Sequence, residues 1–329
     1  MPKNNPNIVV IGGGTGSFTL LRSLKDHTSN ITALVNMADD GGSTGVLRDE
    51  LGVLPPGDIR QCLVALSDAS EELRELFTFR FPAGTFEGHS FGNIFLSAVE
   101  SMTSDFNDSV RIASDILRIT GKVLPITVEN CQLVMKHYGK TVTGEYAISQ
   151  TKLAPHTRPE LSLLPVVRIN PAAAEAISAA DLVVIAPGNL YGSLAPALLV
   201  QGVADAIQST NAPLAFVCNL VNKPHSTAEF SVHDYAEEIE RFTGKGTVDY
   251  VLYNTDMPSK TLLEKYAVDQ EYPVHIDANQ FKAASYKPIG GAFLSHDEQS
   301  RNHNDHFITR SLIRHDSHAI AHALIDLLK

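Results

Sequence analysis

The segment ADDGGSTG (38–45) sets two carboxylates, Asp39 and Asp40, at the end of an apolar run. Acidic oxygens there could read ribose hydroxyls or hold Mg²⁺ through water. Successive side chains on an extended segment point to opposite faces, so the two must have different roles. Asp-Gly is also a favoured turn pair, which leaves a plain turn as the competing reading. In GHSFGN (88–93), His89 stands at a helix start. An imidazole there could protonate a leaving group, touch a phosphate, or serve only the local structure.

The glycine-rich turn GGGTG (12–16) follows a buried strand and precedes a helix. The N–H groups of Gly13, Gly14, Thr15 and Gly16 and the positive end of the helix then point to one place, as an anion site requires. The dinucleotide fingerprint GxGxxG fails, because Ser17 stands where its third glycine belongs. The phosphate-loop pattern fails because no GK[ST] follows. APGNLYGS (186–193) is a third strand-to-helix turn. There Ser193 is expected to cap the helix while the N–H groups of Gly188 and Asn189 meet a phosphate. Three such turns at the carboxyl ends of strands should share one crevice.

Other combinations carry less. His315, His318 and His322 fall at i, i+3 and i+7, on what reads as a solvated helix face opposite Ile320, Leu324 and Leu327. Zinc is not favoured there. Cys62, Cys131 and Cys218 have no CxxC spacing and read as buried, inert thiols. No Ser-His-Asp or Cys-His arrangement can be read from spacing, so covalent catalysis has no support.

These residues need a scaffold. Apolar runs at 8–12, 31–37, 181–188, 214–221 and 250–254 alternate with helical patterns. Continuous rather than alternating apolar strands imply a parallel sheet covered on both faces. The fold expected is α/β, a Rossmann-like, doubly wound, mostly parallel sheet, with residues 1–329 forming one domain. Asp58 in PPGDIR reads as a helix N-cap. Further strands are expected at PVHID (273–277) and HFITR (306–310), and a closing helix at 318–328. The stretch 131–149 alternates around Tyr138-Gly139-Lys140, a β-hairpin that a parallel sheet does not need. It is placed in a β-rich insert spanning 122–170. DEQSRNHND (297–305) is the most linker-like stretch.

The chain has 329 residues and a formal net charge of −11. No clustered Lys/Arg is visible, which argues against nucleic acid as a partner. No apolar run is long enough to span a bilayer, so membrane insertion is not expected. The start, MPKNNPN, has neither secretory nor transit character, and a cytoplasmic location is the expectation.

In order, GGGTG, ADDGGSTG, PPGDIR, GHSFGN, GKVLP and APGNLY run from about residue 8 onward. With them the chain resembles the YvcK group of bacterial gluconeogenesis factors, within the CofD-like superfamily related to 2-phospho-L-lactate transferase. That resemblance implies a CofD-like fold. It also implies a regulatory protein that binds a UDP-sugar, chiefly UDP-N-acetylglucosamine, and serves cell shape and wall homeostasis on gluconeogenic carbon sources. The ligand-contact set then joins Asn219 to the turns, with Tyr191 from APGNLYGS. Tyr266 in LLEKYA and Arg314 in LIRHD match positions associated with the nucleotide sugar. A tyrosine ring can stack on uracil, and an arginine can pair with a diphosphate through two parallel hydrogen bonds. A packed Tyr and a solvated Arg are the plain alternatives. The superfamily's other branch implies a transferase moving a phospholactyl-type group from a nucleotide diphosphate conjugate. In that case Mg²⁺ assists, and Asp39, Asp40 and His89 act on the acceptor. Departures occur in the loop Ala186-Pro187-Gly188-Asn189-Leu190-Tyr191-Gly192-Ser193, where the group has Gly-Pro-Gly-Ser-Tyr-Thr-Ser, at His225-Ser226-Thr227, where it has Gly-Glu-Thr, and at Asp234-Tyr235, where it has Asp-His. They bear on sugar contacts rather than on the phosphate turns. A non-enzymatic regulator is favoured over an enzyme, with regulatory proteins of the cell wall as partners and a homodimer as the expected assembly. Of cofactors, only Mg²⁺ is a candidate.

Overall fold

A computed structural model describes residues 5–103, 105–296 and 312–329. Along the chain the strands are β1 (Ile8–Gly12), β2 (Ile31–Val35), β3 (Lys122–Pro125), β4 (Gln132–His137), β5 (Lys140–Thr143), β6 (Glu160–Leu164), β7 (Leu182–Ile185), β8 (Leu214–Val217), β9 (Tyr250–Asn254) and β10 (Lys287–Gly291). The helices are α1 (Gly14–Leu24), α2 (Gly42–Leu51), α3 (Gly57–Leu66), α4 (Glu71–Thr78), α5 (Phe91–Thr103), α6 (Phe106–Leu117), α7 (Glu145–Ser149), α8 (Pro171–Ser178), α9 (Ala195–Leu198), α10 (Val203–Ser209), α11 (Val232–Thr243), α12 (Lys260–Val268), α13 (Ala278–Phe281) and α14 (Ser317–Asp326).

Seven strands form one sheet in the order β10-β9-β8-β7-β1-β2-β3. Every pairing in it is parallel. Residues of β1, β7 and β8 are buried throughout, as strands covered on both faces require. From β1 the chain winds outward through β2 to β3, then returns to β7 and winds the other way. Right-handed crossovers in opposite directions put helices on both faces. Thus α1 packs with α3 and α14, while α10 packs with α8 and α11. The expected doubly wound α/β fold is present.

Several local expectations change. The insert was expected from residue 122, but Lys122–Pro125 pair with β2 in the main sheet. The separate antiparallel sheet, β5-β4-β6, spans 132–164 and contains the expected hairpin. PVHID makes only isolated bridges, Val221 to Pro273 and Ser231 to His275, because its backbone crosses the ends of neighbouring loops. The seventh strand is instead KPIGG, an edge strand in which Pro288 and two glycines are tolerated. HFITR and 297–305 lie outside the described residues. Asp58 is no cap; Pro56 holds the N-cap position of α3, and Asp58 lies in its first turn. All three cysteines are free and buried. Burial pushes their thiols up, Cys131 to about 11.

Candidate functional site

Because the strand order reverses between β1 and β7, a crevice opens at their carboxyl ends. The turns after both strands meet there. A Cβ on Gly16 would stand 1.8 Å from the Pro187 carbonyl oxygen. The close packing of helix against loop that a third fingerprint glycine would provide is therefore supplied one residue earlier, with Ser17 buried beside it. Gly13 faces the Asp58 carboxylate, which a Cβ would meet at 2.1 Å. The N-cap residue of α1 is Gly13, which has no side chain to cap it; Asp58 takes the Gly14 N–H, and Thr15 in the first turn is exposed. The first-turn N–H groups are thus oriented toward the crevice.

Acidic groups crowd this point. Burial, reinforced by the nearby charges of Asp39 and Glu145, pushes the Asp58 carboxyl up to about 8, although the Gly14 amide donates to it. Burial also raises Asp39, against hydrogen bonds from the Gly41 amide and the Thr44 hydroxyl. Glu145 is pushed up to about 7 by burial and by Asp39 and Asp40. Asp40 itself does not face a ligand. Its two oxygens accept the N–H groups of Glu145, at 3.0 Å, and Tyr146, at 2.7 Å. Asp40 thus anchors the insert helix α7, whereas Asp39 accepts the Gly41 N–H within its own turn.

Among the described residues, no group of three or more His, Cys, Asp or Glu is arranged to hold a metal ion. A Mg²⁺ shared with phosphate oxygens needs only one or two carboxylates. Asp39 and Asp58 fit that need as hard oxygen donors, which a bound cation would hold ionised against the burial that raises both.

The turn after β7 is built differently from the expectation. Leu190–Leu194 form a turn of π-helix, and the Asn189 carbonyl oxygen Oδ1 caps it by accepting the Gly192 N–H at 3.1 Å. Ser193 is inside this turn rather than at its cap, because Asn189 already occupies the capping position. The Gly188 N–H donates to Asn219 Oδ1 at 3.1 Å, and Asn219 Nδ2 donates back to the Gly188 oxygen at 2.8 Å. Asn219 therefore ties two loops together, and the Gly188 amide is engaged by protein rather than left for a phosphate. Tyr191, expected beside a nucleotide, is 2% exposed and donates to Glu238 at 3.1 Å. That fully buried carboxylate is neutralised by Arg241 at 2.7 Å and by Arg158 of the insert at 3.3 Å. A Cβ on Gly192 would lie 2.3 Å from Glu145 Oε1, so α7 closes the crevice from the insert side.

His89 reaches the same rim. Its Nδ1 is 3.0 Å from Ser43 Oγ in the ADDGGSTG turn. Ser43 also accepts from Asn93, whose Oδ1 accepts from Arg60 at 2.9 Å. The histidine thus braces two loops.

Tyr266 and Arg314 are brought together, in a way spacing does not reveal. The Tyr266 ring is buried with Leu220, Leu294 and Ile313. Its hydroxyl accepts the N–H groups of Leu312 at 2.7 Å and Ile313 at 3.0 Å. A ring so placed anchors the segment carrying Arg314 and has no face for uracil. The next residue, His315, lies before α14 rather than on a solvated helix face. Its Nε2 is 3.0 Å from the Cys218 carbonyl oxygen, and burial lowers it to about 4. That contact fixes His315, and with it the backbone at Arg314, near the carboxyl end of β8.

Sequence reasoning missed Asp58 and Glu145 as members of this site. PPGDIR was a visible signal for the first; nothing in GEYA pointed to the second.

The model of the family described as 2-phospho-L-lactate transferase CofD matches residues 8–294. The chain belongs to this family. This CofD-family chain is 36% identical over 332 residues to the gluconeogenesis factor of Bacillus subtilis, with 98% of each covered. It is 37% identical over 319 residues to the gluconeogenesis factor of Halalkalibacterium halodurans, covering 93% and 95%. It spans 70% and 60% of longer relatives from Clostridium acetobutylicum and Nostoc sp.. A crystal structure of a Bacillus halodurans protein, 36% identical, matches 98% of this chain and 99% of its own with a TM-score of 0.88. Gluconeogenesis factors are thus the relatives of this CofD-family chain, as the motif order implied. Among the described residues no helix is long and apolar enough to cross a membrane.

Proposed function

We propose that the chain is a regulatory protein that binds a nucleotide sugar of the UDP-N-acetylglucosamine type. The observation that carries this reading is the meeting of the β1, β2 and β7 turns with α7 at one switch point. The diphosphate lies across the first turn of α1, at Thr15 and Gly16, and the facing turn at Asn189 and Ser193. Arg314 approaches from the C-terminal segment. Clustered carboxylates repel a bare diphosphate, so Asp39 and Asp58 hold Mg²⁺, which neutralises the phosphates when bound. Tyr266, Asn219, Gly188 and Asp40 position the walls.

A regulator rather than an enzyme is favoured because His89 and Asp40 are both engaged in bracing loops. A role in cell shape and wall homeostasis during gluconeogenic growth, a cytoplasmic location, wall-regulating partners and a homodimer complete the proposal. Calorimetry with UDP-N-acetylglucosamine and Mg²⁺ tests it. Binding should weaken in Arg314→Ala by about ten- to a hundredfold, the loss of one charge-assisted contact. No heat at millimolar ligand would end the reading.

The neighbouring carboxyls of Asp39 and Asp58, with the Asp39 charge acting on Asp58 and both raised chiefly by burial, favour one second reading, a Mg²⁺-dependent transferase acting on a nucleotide diphosphate conjugate. Turnover of a GDP- or UDP-linked donor separates the two.

A further inference from the structure

Beyond Asn189 the crevice continues into a pocket of about 250 Å³. Its polar lining includes Ser149, Lys223, His225, Ser226, Asp269 and Glu271. Two elements preform it. Lys223 oxygen accepts the N–H groups of Ser226 at 3.2 Å and Thr227 at 2.9 Å, while Thr227 Oγ1 accepts the Lys223 N–H at 3.0 Å. The insert is tied to the same loop by Leu153 N–H on the His225 oxygen at 2.8 Å. The pocket therefore does not need to assemble around its ligand.

Its chemistry excludes several occupants. No Phe, Tyr or Trp lines it, and its one ring is the small imidazole of His225, so a nucleobase meets little stacking surface among hydroxyls and charged groups. Its one lysine is already paired with Glu271, and Asp269 adds a second carboxylate. Fixed charge is therefore one positive against two negative, which disfavours phosphate or carboxylate. What remains are hydroxyls and carboxylates able to exchange hydrogen bonds with a neutral polyol, in a space of monosaccharide size.

We propose that this pocket takes the glycosyl part of the nucleotide conjugate and selects an uncharged sugar over one bearing a carboxylate. The inference rests on the nucleotide-diphosphate reading of the neighbouring crevice. It disfavours a phospholactyl-type group, whose carboxylate would meet Asp269 and Glu271.

Calorimetry of the full chain with Mg²⁺ and three ligands, UDP, UDP-N-acetylglucosamine and UDP-glucuronate, tests it. The N-acetylglucosamine conjugate should bind about tenfold more tightly than the glucuronate, as one like-charge contact in a partly desolvated pocket implies. That gap should shrink to about threefold or less in Asp269→Asn and in Glu271→Gln, with UDP affinity unchanged. Equal affinity for both sugars in the wild type, or a gap that survives both substitutions, overturns the pocket's role. Absence of binding by UDP and both conjugates overturns the nucleotide reading itself, and the pocket proposal with it.

Discussion

Asp40 caps a helix that begins 105 residues later in the chain, accepting the N–H groups of both Glu145 and Tyr146. The N-cap residue of α7 is Gly144, with φ +98° and no side chain to do this itself. Replacing Asp40 by Ala should cost about 0.5–2 kcal/mol, the usual loss for a removed cap. Amide exchange should rise in 144–150 while β1 and β7 remain protected. Unchanged exchange in that window would show that Asp40 does not hold the insert.

Asp58 and Glu145 make stability depend on pH. Their folded values, about 8 and about 7, lie above those of an unfolded carboxyl. The folded chain then binds more protons in between, so their contribution is complete at low pH and is lost as pH rises through 7 to 8. His315, lowered to about 4, acts below about pH 6.5, where folding must keep it neutral. Melts in EDTA between pH 6.5 and 8.5 therefore isolate the carboxyls. Stability should fall by up to about 1.4 kcal/mol per pH unit for each excess proton. Asp58→Asn should flatten the slope, and parallel slopes would contradict the assignment.

Removing the Tyr266 hydroxyl separates anchoring from stacking. Tyr266→Phe keeps the ring and strips the acceptor from two amides, at a cost of about 1–3 kcal/mol in local stability. Exchange should increase at 312–316, and nucleotide-sugar affinity should fall with it through Arg314. A ring that stacked on uracil would tolerate Phe, leaving affinity unchanged.

Gly16 tests how tightly the two turns meet. Its Cβ would collide with the backbone oxygen of Pro187, which no rotamer change can move aside. Gly16→Ala should lower stability by at least about 1–3 kcal/mol in denaturant unfolding. A midpoint equal to wild type would show that α1 and the β7 turn are not in contact.

The strands at 8–12, 31–35, 182–185, 214–217 and 250–254 were legible because each is a continuous apolar run, the mark of burial on both faces. KPIGG was not, since an edge strand held by backbone pairing needs no apolar pattern. Helix α2 was obscured by Gly41 and Gly42, which read as turn punctuation although the helix starts at Gly42. In the site, Asp39 was visible at a strand end. Asp58 was mistaken for a cap because an acidic residue in a first helical turn looks the same from sequence, wherever its side chain goes.

From the sequence alone came the parallel sheet, its covering helices and the glycine turns at strand ends, because periodicity and turn chemistry are local. Tertiary structure decided what those turns face. Strand order reverses between β1 and β7, and that reversal brings Gly16 to Pro187, while packing of α3 on α1 brings Asp58 to Gly13. It also decided that Asp40, Tyr191 and Tyr266 hold the walls, since each is spent on a partner between 46 and 106 residues away. No spacing rule reaches that far: such contacts depend on how separate elements pack, not on the pattern within any one of them.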